Sequence, residues 1–225
     1  MAWREWVRTV EIEPSLYAAD FANLGDQIRD LLNGGALVFH FDVGDGHFVE
    51  PITVGPIVLQ SIAPVVHERG AVIDVHLMVE EPDKHIPQVA RAGGDSVTFH
   101  VEASGDPGTT IALAREHGLG VGVAFKPETA VVDAAKAAEG ADLCLCMSIE
   151  PGYSGQAFMP AALPRVGELR SLLPDDVFVQ VDGGVGFDNV REVYLAGAEL
   201  LVAGSAIFEF EDLPRSYRRL VQTLA

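Results

Sequence analysis

The chain predicts an α/β fold, a (β/α)8 TIM barrel of eight parallel strands, and three observations lead there. Short apolar runs rich in Val, Ile, Leu and Phe alternate with longer Ala-, Leu- and charge-bearing segments of helical spacing. The alternation occurs eight times. Strict βα repetition over ~200 to 250 residues builds a parallel sheet, either closed as a barrel or open and doubly wound, and eight units favour closure. Finally, several apolar runs end in ionisable residues, and strand C-termini are where a barrel keeps its functional groups.

In chain order, the strands are expected at residues 10–15, 37–43, 72–77, 96–100, 120–125, 143–148, 177–181 and 200–203. Helical stretches should begin near Phe21, Pro56, Lys84, Thr109, Val131, Pro160, Asn189 and Pro214. Pro56, Pro160 and Pro214 suit a first helical turn, which tolerates a missing N–H. Asn33-Gly34-Gly35, Ala92-Gly93-Gly94, His117-Gly118 and Ala196-Gly197 mark helix exits that need a residue at positive φ. No linker, low-complexity tract or strong internal repeat interrupts the pattern, so residues 1–225 read as a single barrel domain.

Composition narrows the partners. A 225-residue chain with 48% hydrophobic residues can bury its own core. Its 33 acidic and 15 basic residues give a net charge of −18, which repels nucleic acid and anionic membranes; solubility is the plain reading of the excess. The N-terminus has no apolar leader segment, and no run approaches the ~20 apolar residues of a membrane span. A cytoplasmic protein is expected. Cys144 and Cys146 share one face of a strand without the loop of a metal knuckle, and read as reduced core residues.

Chemistry concentrates in FHFDVGDGHF (residues 39–48), DVHLM (74–78) and VDGG (181–184). Side chains alternate along a strand, so His40 and Asp42 share one face while Phe39, Phe41 and Val43 fill the other. With His76 and Asp182 they make a set of two imidazoles and two carboxylates. Such a set suits a divalent metal and also provides two proton-transfer groups. His100 and Glu102, two apart after the fourth strand, form a rival acid/base pair and are expected to be packed behind the site. Asp74 reads as a hydrogen-bond partner inside the barrel, His47 as structural or solvent-facing, and Trp3 and Trp6 as a cover for the barrel bottom or a subunit contact.

The ordered motifs PSLYAADFANLG, HFDVGDGHFVEPITVG, DVHLMVEEP, FHVEA, MSIEPGYSGQAF, VDGGVGFDNV and VAGSAIF resemble the ribulose-phosphate 3-epimerase family. The likeness runs from Glu13 to Phe208, nearly the whole chain. It implies one divalent ion, commonly zinc, held by His40, Asp42, His76 and Asp182, with iron, manganese or cobalt also compatible with such ligands. It further implies that Asp42 and Asp182 lie on opposite sides of C3 of a ketose phosphate, one taking a proton while the other delivers one. Inversion needs two groups, because a single base returns the proton to the face it left. The family often forms homo-oligomers.

By the same resemblance Ser15 and His76 contact substrate. The runs Pro151-Gly152-Tyr153-Ser154-Gly155, Gly183-Gly184 and Gly204-Ser205 follow strands six, seven and eight, a corner where barrels commonly bind phosphate through backbone N–H groups. No basic side chain stands in these runs, so oriented amides would do the binding. The implied reaction interconverts D-ribulose 5-phosphate and D-xylulose 5-phosphate through an enediolate. Departures keep other readings open. The family usually has Met at Gly44, Ser at Ala18, Phe-Gly at Tyr153-Ser154 and Lys at Ala157, while Met78 and Met147 remain as a polarizable wall. A missing Met at position 44 is expected to open space and admit water, and it motivates a degenerate barrel that binds without turnover; variation around these loops keeps open a hexulose phosphate such as D-allulose 6-phosphate. An open-sheet nucleotide binder would need GxGxxG after the first strand, where SLYAAD stands instead.

Overall fold

A computed structural model describes residues 3–7 and 9–224. Its strands are β1 (Glu11–Pro14), β2 (Val38–Gly44), β3 (Val72–Met78), β4 (Ser96–His100), β5 (Gly120–Phe125), β6 (Leu143–Met147), β7 (Phe178–Asp182) and β8 (Leu200–Ala203). All pair in parallel in the order β1-β8-β7-β6-β5-β4-β3-β2. The ring closes between β1 and β2 through one isolated bridge, Ser15 to His40. Eight parallel strands with helices between them form the expected TIM barrel, and no helix among the described residues is long and apolar enough to cross a membrane.

The helices are α1 (Trp3–Trp6), α2 (Leu24–Gly34), α3 (Pro56–His67), α4 (Pro82–Ala92), α5 (Pro107–Glu116), α6 (Val131–Ala137), α7 (Ala162–Leu172), α8 (Val190–Leu195), α9 (Ser205–Phe208) and α10 (Leu213–Gln222). Several starts differ by two or three residues from the sequence expectation. α4 and α5 begin earlier, on Pro82 and Pro107, because the fixed proline φ suits the first turn. α2 begins later, at Leu24, because Asp20 first makes a turn in which its carboxylate accepts from the Ala22 backbone and the Asn23 side chain. Pro160 precedes α7 rather than opening it.

Strand parity divides the core in two. Outward residues such as Phe39, Phe41, Ile73, Val75, Val97, Phe99, Cys144 and Cys146 pack against the helices in the larger cluster. Both cysteines are free and buried, and burial pushes the Cys146 thiol up to about 11 and Cys144 higher still. Inward residues Val38, Val72, Leu143, Phe178 and Leu200 fill the barrel bottom, closed by Trp3, which is buried and packs against Phe178 and Trp6. Trp3, ahead of the first strand, is therefore the barrel's plug. A buried polar layer lies above this floor: Glu13, Asp74, Ser96, Thr98 and Gln180.

Near the start of the first strand, Glu11 on β1 meets α10, where Tyr217 Oη donates to Glu11 Oε1 at 3.0 Å. Burial raises the Glu11 carboxyl from 4.5 to about 7, against the lowering effect of that hydrogen bond. A carboxyl whose folded pKa is raised binds protons more tightly when folded. Its favourable contribution is complete below about 4.5 and fades as pH rises through about 7. Glu11→Gln should therefore stabilise the protein by roughly 1–3 kcal/mol at pH 8 and by nothing near pH 4.5. Urea unfolding at the two pH values measures this. An equal effect at both would show that Glu11 titrates normally.

Candidate active site

The site grows from the register of β2 and β3, which sets Asp42 opposite His76 and His40 opposite Asp74. β7 adds Asp182 from beyond β1 and β8, at the end of a strand whose outward residues, Val179 and Val181, are buried under the helices. One donor atom from each of His40, Asp42, His76 and Asp182 lies within 4.8 Å of all the others. Asp42 Oδ1 is 3.2 Å from His40 Nε2 and 3.1 Å from His76 Nδ1, and Asp182 Oδ2 is 3.8 Å from His76 Nδ1. Ser15 Oγ donates to Asp42 Oδ2 at 2.7 Å.

The donor set fits a divalent cation. Both ring nitrogens of buried His40 lack a hydrogen-bond partner, with carboxylate oxygens of Asp42 and Asp74 3.2 Å away. Burial alone would lower the His40 pKa, yet Asp42, Asp74 and Glu13 hold it well above 6.5. Surrounding carboxylates thus call for positive charge at this point. For Asp42, burial works upward but the two imidazoles prevail and depress it. Asp182 is raised, first by burial and then by repulsion from Asp42. Two carboxyls at one site driven in opposite directions are suited to complementary acid and base roles.

A supporting layer contains Asp74, the expected hydrogen-bond partner inside the barrel, together with Glu13 and Gln180, which the sequence did not single out. Gln180 Nε2 donates to Glu13 Oε2 at 2.7 Å and to Asp74 Oδ2 at 3.0 Å, and Ser96 Oγ donates to Asp74 Oδ1 at 2.6 Å. Asp74 and Glu13 stand 3.2 and 3.6 Å from His40 Nδ1, so they brace the back of that ring. Burial raises the Glu13 carboxyl to about 7. Glu13 and Gln180 could have been noticed as polar residues at inward positions between apolar neighbours.

Above the four residues opens a pocket lined by Ser15, Tyr17, Asp42, Met78, Met147, Asp182 and all of Gly152, Tyr153, Ser154, Gly155, Gly183, Gly184, Gly204 and Ser205. Among the described residues no basic side chain lines it. His76 is fully buried and does not line this pocket; its Nδ1 lies against Asp42. His47 is exposed, as expected. Gly183 and Gly184 follow β7 at φ +117° and +63°, and a Cβ on Gly184 would stand 2.5 Å from the Phe158 nitrogen. Only glycine brings the backbone this close to the neighbouring loop.

Gly44 corrects an expectation. A Cβ there would meet Val49 Cγ2 and Pro51 O at 2.9 Å and Thr53 Cγ2 at 3.1 Å. The loop after β2 folds back over the glycine, and Thr53 Oγ1 pins it by accepting from Gly44 N at 2.7 Å and donating to Asp42 O at 2.8 Å. The missing side chain opens no space; Val49, which is buried, occupies it.

The sequence model of the ribulose-phosphate 3 epimerase family matches residues 11–208. Ribulose-phosphate 3-epimerase of Bacillus subtilis is 41% identical over 207 residues, covering 90% of this chain and 94% of that protein. The Escherichia coli K12 enzyme of the same name is 40% identical over 216 residues, covering 95% and 93%. Among solved structures, a KGPDC from Streptococcus mutans superposes with a TM-score of 0.74 at 14% identity, covering 96% of this chain and 97% of that one, a likeness of fold. The chain belongs to the ribulose-phosphate 3-epimerase family and is an epimerase, an enzyme of the isomerase class.

Proposed function

We propose that this epimerase interconverts D-ribulose 5-phosphate and D-xylulose 5-phosphate by proton transfer at C3, with Asp42 and Asp182 as the two transferring groups. The observation behind this reading is that both carboxylates enter one pocket, from β2 and β7, with opposite shifts in proton affinity. Either can take the C3 proton while the other supplies one to the opposite face, and the roles exchange with the direction of reaction. Ser15 Oγ holds the Asp42 carboxylate, fixing which oxygen faces the substrate. Met78 and Met147, both buried at the pocket wall, keep water from the carbon while it is deprotonated.

His40, Asp42, His76 and Asp182 would hold one divalent cation. Such an ion, zinc or another metal of similar ligand preference, would stabilise negative charge developing on substrate oxygens. The phosphate is assigned to the backbone of Gly183, Gly184, Gly204 and Ser205 with the loop from Gly152 to Gly155. Amide dipoles there can serve an anion without a basic side chain. Clustering of all four donor residues favours turnover over a barrel that merely binds, and the close contacts around Gly44 argue against extra room for a longer sugar at that position.

Solvent-deuterium incorporation at C3, followed for D-ribulose 5-phosphate and D-allulose 6-phosphate, tests the assignment. The pentulose phosphate should give the higher kcat/KM. A much higher value for the hexulose phosphate would sink the choice of substrate while leaving the epimerase chemistry.

A further inference from the structure

His100 and Glu102 lie outside the pocket, yet they connect to it through His76. His76 turns Nδ1 toward Asp42 and Asp182, so Nδ1 is the atom that would face the cation. Its other nitrogen, Nε2, lies 2.9 Å from His100 Nε2. His100 Nδ1 in turn lies 3.2 Å from Glu102 Oε2. Glu102 Oε1 accepts from the Lys126 backbone N–H at 2.8 Å and from the Thr129 hydroxyl. The loop carrying those two donors is itself fixed, because Arg165 Nη2 donates to the carbonyls of Lys126 and Thr129 at 3.1 and 2.9 Å.

Proton placement along this row has one consistent solution. Two imidazole nitrogens 2.9 Å apart share a single proton, since two protons would collide and two lone pairs would repel. If His76 Nδ1 offers its lone pair to a cation, His76 Nε2 carries the proton and His100 Nε2 must accept it. The His100 proton then sits on Nδ1 and is donated to Glu102, a carboxylate whose other oxygen is already committed as an acceptor. We propose that His100 and Glu102 are positioning residues that lock His76 in the tautomer with a bare Nδ1, so that metal affinity at the site depends on a carboxylate in the next strand's loop. This rests on the metal reading above. Both His100 nitrogens are engaged in the row, and the buried ring stacks on His76 with centroids 5.1 Å apart while Phe48 packs against it at a tilt, 4.8 Å away, which leaves it no path to the substrate.

The test uses Co(II) alone as probe, reading affinity by competition with a chromogenic chelator and geometry from the visible absorption of the loaded enzyme. His100→Phe keeps the stacked ring and removes the acceptor; it should weaken Co(II) binding ~10–100-fold, the scale for losing a group that orients a metal ligand, and shift the spectrum. His100→Gln, whose amide oxygen can accept from His76, should recover part of the loss. Glu102→Gln, at a less enclosed position, should weaken binding in the same direction and covers the case in which the Phe variant fails to fold. Folded variants that bind Co(II) as tightly as the parent would overturn the proposal, as would a loss of turnover with Co(II) affinity unchanged, which would make His100 a proton-transfer group. A parent enzyme that takes up no Co(II) would overturn the metal reading and this one with it.

Discussion

Asp182→Asn and Asp42→Asn should each slow epimerisation at least ~10²-fold, the scale of a positioned acid or base. An amide of the same shape neither takes nor gives the C3 proton, while it can still accept hydrogen bonds. In Asp42→Asn the Ser15 hydroxyl keeps an acceptor, so the barrel mouth should hold its shape. The two variants are expected to differ in isotope pattern. With one transferring group intact, solvent deuterium can still enter C3 from that group's face, so exchange should outlast inversion. Proton NMR in deuterium oxide separates the two events, and metal content measured on the same samples separates loss of a proton-transfer group from loss of an ion. Near-normal inversion by either variant would overturn the two-carboxylate assignment.

Stripping divalent ions should be nearly as damaging. A cation among His40, Asp42, His76 and Asp182 would offset charge that the substrate develops, an effect worth several kcal/mol. At about 1.4 kcal/mol per tenfold, the rate should fall by ~10²-fold or more. Dialysis against a strong chelator, followed by single additions of zinc, manganese, iron or cobalt salts, measures the loss and ranks the ions. Full activity in a chain shown to be free of metal would remove the cation from the mechanism.

Sequence patterns reached most of the architecture and the heart of the site for a physical reason. A strand has a period of two, so His40 and Asp42 had to share a face, and Phe39 and Phe41 could only be the buried side under helices. What stayed hidden depends on closure. Gln180 and Glu13 are 167 residues apart and meet only because the sheet curls until β7 and β1 flank β8. Neither has a local signal naming its partner. Gly44 misled for a related reason: a glycine in a motif reads as a vacancy, whereas the volume belongs to Val49, five residues on, once the loop folds back. The early starts of α4 and α5 follow from prolines that can end one segment or begin the next, and only the following turn decides which.

The bridge from Ser15 to His40 is where the barrel's two ends meet, and seven neighbouring strand pairs have longer ladders than this one. The residues at that seam, or beside it, are the hydroxyl that holds Asp42 and two of the four groups that would take a cation. Zipping up the molecule and filling its site would then be parts of one equilibrium. An ion held there would tie β2 to β7 across β1 and β8, so it would also favour the folded chain by mass action. Metal loading would thereby link catalytic competence to the integrity of the cylinder at its thinnest joint.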